Sequence, residues 1–124
     1  MNYLPKRRKR ERMGVRTPER VRSDGHIQWV RGHNCLVYAH PKGRQDCEGK
    51  VQAHHVRTRG AGGGDEQVVP LCVIHHAQLD SPGWSSKRFE EVYGLNMAKI
   101  AAELWLSSPH GVRYRLAHDT QGDS

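Results

Sequence analysis

Apolar residues in this chain fall into a few short stretches, each bounded by turn residues. Val51, Ala53 and Val56, interleaved with Gln52, His54 and His55, read as a short strand over 51–56. Val68-Val69-Pro70-Leu71-Cys72 reads as a second strand. Pro70 suggests an edge position there, because proline brings no N–H to a ladder. Between the two, Thr58 to Gln67 carries Gly60, Gly62, Gly63 and Gly64 and reads as a flexible loop. A helix is expected from Val73 to about Leu79, stopped by Pro82–Gly83, with further helices near Ser86–Tyr93 and Asn96–Leu106. In the last of these Met97, Ile100, Ala101, Leu104 and Trp105 recur at helical spacing and read as core rather than as ligands.

Upstream, Ile27, Trp29 and Val30 suggest a helical turn or a strand docking on the body, and 34–49 reads as loop. Beyond Ser107 the chain is polar and reads as frayed. The expectation is a small α+β fold of residues 25–106, with a disordered basic arm (1–24) and a polar tail (107–124).

Composition sharpens this picture in two ways. A chain of 124 residues with 35% apolar content and a single Phe can bury only a thin core, so a staple is expected. Its three cysteines cannot all pair, and no secretory hydrophobic segment opens the chain. A reduced, cytoplasmic setting with cysteines as metal ligands is therefore expected, and no apolar run is long enough to cross a membrane. The formal charge of +7 sits wholly in 1–22, where nine Lys/Arg, among them Lys6, Arg7, Arg8, Lys9 and Arg10, face only Glu11 and Glu19. Such an arm attracts nucleic acid through counterion release. A solubilising tail or a localisation signal is the competing reading.

The candidate chemistry is concentrated. Of nine histidines, His33, His40, His54, His55, His75 and His76 share one region with all three cysteines. Cys72-Val73-Ile74-His75 places two ligands at a strand-to-helix junction. Cys35 and Cys47 are the natural completion of a structural zinc site, with His40 as a substitute for either. Buried free thiols are the alternative. His76 and Asp80, four apart on a helix, share a face, and His54 could meet them to form an open three-ligand site. His55 need not point the same way, and an unligated histidine there suits a general base. Arg57 and Arg59 could clamp phosphate, or be exposed loop charges; the glycines could let a DNA backbone approach.

Gln52-Ala53-His54-His55-Val56, a glycine-rich loop and Val69-Pro70-Leu71-Cys72-Val73-Ile74-His75-His76 together resemble the HNH nucleases, in particular small phage-type members and phage recombination-enhancement nucleases. The resemblance spans roughly Cys35 to Asp80. It implies a ββα-metal fold, His55 as general base, His54 and His76 as metal ligands, and phosphodiester hydrolysis leaving a 5′-phosphate and a 3′-hydroxyl. DNA, whether duplex, single-stranded or branched, would be the partner, and phage or mobile-element DNA processing the setting. Two positions depart from the family. Asp80 stands where a histidine is frequent, which favours Mg²⁺ or Mn²⁺ over Zn²⁺. The central asparagine is missing, and Gln67 is the nearest candidate for its loop hydrogen bond. A zinc-stapled nucleic-acid-binding module and a catalytically degenerate HNH accessory protein are the rival readings. Oligomeric state and target preference are not legible.

Overall fold

The computed structural model describes residues 20–40, 44–57 and 62–122, with side chains to residue 118. Helix α1 (Asp24–Arg31) is followed by a 3₁₀ turn (Leu36–Ala39), strands β1 (Val51–His55) and β2 (Val68–Cys72), then α2 (Val73–Leu79), α3 (Ser86–Tyr93), α4 (Met97–Ser107) and α5 (Pro109–Gly122). This is a small α+β architecture built on one antiparallel hairpin, with Val51 opposite Cys72 and His55 opposite Val68.

Local chemistry explains most of the element ends. Ser23, Ser85 and Asn96 each turn a side-chain oxygen onto a backbone N–H three residues on, in the usual manner of helix N-caps. Gly94 closes α3 in the left-handed conformation (φ 64°), where a side chain would be strained.

The hairpin carries helices on both faces. Strand residues alternate, so Gln52 and His54 face one way and Val51, Ala53 and His55 the other. Helix α2 lies on the Gln52/His54 face, where His76 meets both of those residues. Ile27 of α1 lines a cavity with Ala53 and His55 on the other. Val69, Leu71, Leu79, Phe89, Tyr93, Met97 and Ala101 form the core together with Cys35, Val37 and Cys72. The one Phe is fully buried and tilts against Tyr93 at 4.9 Å between ring centres. Burying such a side chain contributes about 2–3 kcal/mol. Pro70 pairs with Ala53 and is itself fully buried; the bonds at Lys50–Val73 and Val56–Gln67 make Ala53–Pro70 a non-hydrogen-bonded pair, so its missing N–H leaves no ladder gap.

The 107–124 region differs from the sequence expectation: Pro109–Gly122 is helical, not frayed. Ser108 accepts hydrogen bonds from the N–H groups of His110 (3.1 Å) and Gly111 (3.4 Å), and Pro109 stands at the first helical position, where its missing N–H costs nothing. Helix α5 packs on α4 and α1. Gly111 lies so near the Trp105 backbone that a Cβ there would collide with it. The 24–31 segment, expected as a helical turn or a strand, is helical and starts at its Ser23 cap. Among the described residues no helix is long and apolar enough to cross a membrane.

Candidate functional site

Cys35, Cys47, Cys72 and His75 converge. Cys35 precedes the 3₁₀ turn, Cys47 lies in the loop before β1, Cys72 ends β2, and His75 stands in the first turn of α2. Cys72 is also the N-cap of α2, its Sγ accepting the His75 N–H at 3.5 Å, so the C-x-x-H step itself brings thiol and imidazole together. The ladder continues past the strand ends, with Val73 N–H donating to Lys50 O, and this draws the Cys47 loop alongside.

His75 Nδ1 lies 3.1, 3.5 and 3.7 Å from the sulfurs of Cys72, Cys47 and Cys35, and all four ligand atoms are within 4.8 Å of one another. Zn–S and Zn–N bonds in a tetrahedron put sulfur and nitrogen roughly 3.5–3.6 Å apart. The cluster therefore has the size of a zinc site and could hold a structural metal.

Electrostatics favour a cation there. Burial pushes the Cys35 thiol up, and burial followed by the neighbouring Cys35 charge pushes Cys47 up to about 12. Cys72 is opposed by burial too, but backbone hydrogen bonds from His75, Glu48 and Ile74 outweigh it and bring its thiol down. Burial keeps His75 neutral. Three thiolates cannot share this volume without a compensating charge, which a divalent ion provides. All three thiols are free of disulfides. His40, the substitute ligand expected from sequence, lies outside the four-ligand group. Its ring stands edge-on to Tyr93 at 5.6 Å.

On the outer side of α2, His54 Nδ1 lies 3.2 Å from His76 Nε2. Two imidazoles on one metal place their ligating nitrogens roughly 3.0–3.4 Å apart, so the pair has a ligating separation. His76 Nδ1 donates to Gln52 Oε1 at 2.7 Å. Since that amide oxygen accepts, Nδ1 carries the proton and Nε2 offers its lone pair toward His54, the arrangement usual behind metal-bound histidines. Burial, then the adjacent His76, lowers His54 to about 4, against an opposing pull from Asp80; it is a neutral donor at physiological pH. His54 Nε2 is buried with no partner among the described residues. Asp80 caps α2 and acts on His54 electrostatically, but it does not close a three-ligand set. Among the described residues, only the Cys35–Cys47–Cys72–His75 group meets that condition.

His55 turns to the opposite face and meets Asp65, with Nε2 to Oδ1 at 3.0 Å. Gln67 holds the loop through its backbone, its carbonyl accepting from Val56 N–H and its N–H donating to Gly64 O. No side-chain bond of the expected kind is found at Gln67 among the described residues. Asp65 supplies the loop's side-chain contact instead. Gly62 adopts φ +98°, next to the Arg57 guanidinium. Gly64 is crowded by Glu66 and the Val21 backbone, so its missing side chain makes room for the protein's own chain. Arg57 is exposed; Arg59, Gly60 and the arm residues Lys6, Arg7, Arg8, Lys9 and Arg10 lie outside the described residues.

Two positions escaped sequence reasoning. Gln52 shares the His54 face by strand alternation, a signal that was present. Asp65 is ten positions from His55, and nothing along the chain links them. Compared with known proteins, the chain matches no protein-family model, no curated protein and no solved structure.

Proposed function

We propose that this protein is a metal-dependent DNA endonuclease of the HNH, ββα-metal type, its body stapled by zinc on Cys35, Cys47, Cys72 and His75. The observation that carries the reading is the approach of His54 and His76 at 3.2 Å across the hairpin–helix junction, with an unligated His55 next in sequence. A zinc staple alone has no use for a second pair of converging imidazoles supported by Gln52.

His54 and His76, with Asp80 nearby, would hold Mg²⁺ or Mn²⁺. Such an ion supplies charge stabilisation to the scissile phosphate and to the leaving 3′ oxygen. His55 accepts a proton from the attacking water. The water oxygen bonds to phosphorus, the bond from phosphorus to the 3′ oxygen breaks, and that oxygen takes a proton from solvent. The products are a 5′-phosphate and a 3′-hydroxyl. Arg57, exposed beside the Gly62 turn, would contact phosphate. The basic arm contributes affinity without sequence information.

The rival is a zinc-stapled nucleic-acid-binding module, favoured by one observation, that Asp80 leaves the His54–His76 pair without a third ligand in contact. Purified protein with supercoiled plasmid and Mg²⁺ or Mn²⁺, against EDTA and His55→Ala controls, separates the two. Metal-dependent nicking that drops on the order of 10²–10⁴-fold in His55→Ala, with DNA affinity retained, supports the nuclease. Retardation of DNA without cleavage under any divalent ion leaves the binding module.

A further inference from the structure

Asp65 is buried, at 8% exposure, on the loop joining the two strands. A carboxylate in such a place is costly unless its oxygens find donors. Here they do so on both sides. Oδ2 accepts the Ser23 N–H at 2.8 Å, at the start of α1, and Oδ1 takes His55 Nε2 at 3.0 Å. The Asp65 N–H donates to Val21 O at 2.9 Å, completing a clamp on the segment entering α1. The positive end of that helix adds to the preference for a charged carboxylate.

The bond has a consequence for the imidazole. A carboxylate oxygen only accepts, so the proton of a neutral His55 is on Nε2 and the lone pair is on Nδ1. Nδ1 has no protein partner among the described residues. His55 and Asp65 line a cavity of about 480 Å³ with Arg22, Asp24, Ile27 and Ala53, large enough to admit water to the ring.

We propose that Asp65 is the positioning residue of His55: it holds the ring as the Nε2–H tautomer, so that Nδ1 is the atom receiving the proton of the attacking water. Through Ser23 the same carboxylate ties this tautomer to the docking of α1. The proposal rests on the nuclease reading. It goes beyond that reading by naming the atom that acts as base and the group that directs its lone pair.

A merely structural Asp65 would cap α1 and no more, and D65N separates the two roles. The amide oxygen still accepts from Ser23, preserving the cap. The amide NH₂ donates toward His55, which places the lone pair on Nε2 and the proton on Nδ1. Long-range ¹H–¹⁵N NMR of the full-length, zinc-loaded protein reads the tautomer directly, without cleavage. The expected result is an Nε2–H ring in the wild type and an Nδ1–H ring in D65N. The expected kinetic result is a kcat lower by on the order of 10²–10⁴-fold with KM unchanged.

An Nδ1–H ring in the wild-type protein overturns the proposal even if D65N fails to fold. Equal cleavage by wild type and D65N overturns it while leaving the nuclease intact. A wild type that shows the Nε2–H ring but cuts nothing with Mg²⁺ or Mn²⁺ overturns the nuclease reading, and with it the positioning role.

Discussion

His75 and His76 are neighbours on α2, yet they belong to two side-chain clusters of opposite character. His75 points inward, fully buried, to three sulfurs, one three residues before it and two from the segment before β1. His76 points outward to His54 and Gln52 and is half-exposed. A single step along the helix separates a four-ligand cluster from a pair of imidazoles with no third ligand in contact. A metal in the first is a structural element, because its ligands hold together the 3₁₀ turn, the Cys47 loop, β2 and α2. A metal in the second would join only β1 and α2.

The sharpest way to break this contrast is Cys72→Ser. It removes one thiolate from the closed centre and the cap from α2. Structural zinc contributes about 10–16 kcal/mol of apparent binding free energy, against about 5–15 kcal/mol of total stability for a domain. The variant is expected to lose its single equivalent of zinc and its cooperative thermal transition, read by metal analysis and circular dichroism. A variant that melts cooperatively without zinc would make the closed centre dispensable.

A second, smaller effect concerns the face of the hairpin away from the His54–His76 pair. His26 is buried between Trp29 and Trp105 and shares a 2.9 Å hydrogen bond with Ser108 Oγ. Burial, then His110, lowers it from the ordinary 6.5 to about 4; Asp65 opposes this and His33 adds to it. The unfolded chain therefore takes the proton first. The stability this neutral ring contributes is intact above pH 6.5 and is lost as pH falls toward 4, by up to about 3 kcal/mol. Denaturant titrations followed by tryptophan fluorescence should show that slope, and His26→Gln should flatten it. A slope unchanged in His26→Gln would assign the acid sensitivity to the zinc thiolates instead.

The smallest effect sharpens the open site. Gln52→Ala removes the partner of His76 Nδ1 and should weaken Mn²⁺ binding by about 10–100-fold, as such outer partners do. Calorimetry on zinc-loaded protein would measure it, with zinc content unchanged. Equal Mn²⁺ affinity in the variant would leave His76 without the support assigned to Gln52.

Much of the hairpin and its following helices was legible because each element rests on neighbours in sequence. Strand alternation over Val51–His55, the apolar run of β2, the Pro82–Gly83 stop and the 3.6-residue recurrence in α4 are local patterns. Helix α5 was missed because it has no apolar stripe to read; its polar sequence hid the Ser108–Pro109 start that caps it. The C-x-x-H half of the closed centre was equally local. Its other half, and the choice of Cys35 and Cys47 over His40, depended on how the loop before β1 folds back on β2.

The sequence by itself determined which residue types could carry the chemistry, and on which elements most of them would sit. Periodicity, caps and ligand spacing act within a few residues of the chain. Only the tertiary structure decided that His54 meets His76 while His55 turns away to Asp65, and that Gly64 admits Val21. Those contacts join residues brought together by the antiparallel register and by helices docking on opposite faces. Their partners are chosen by packing, which no window along the chain contains.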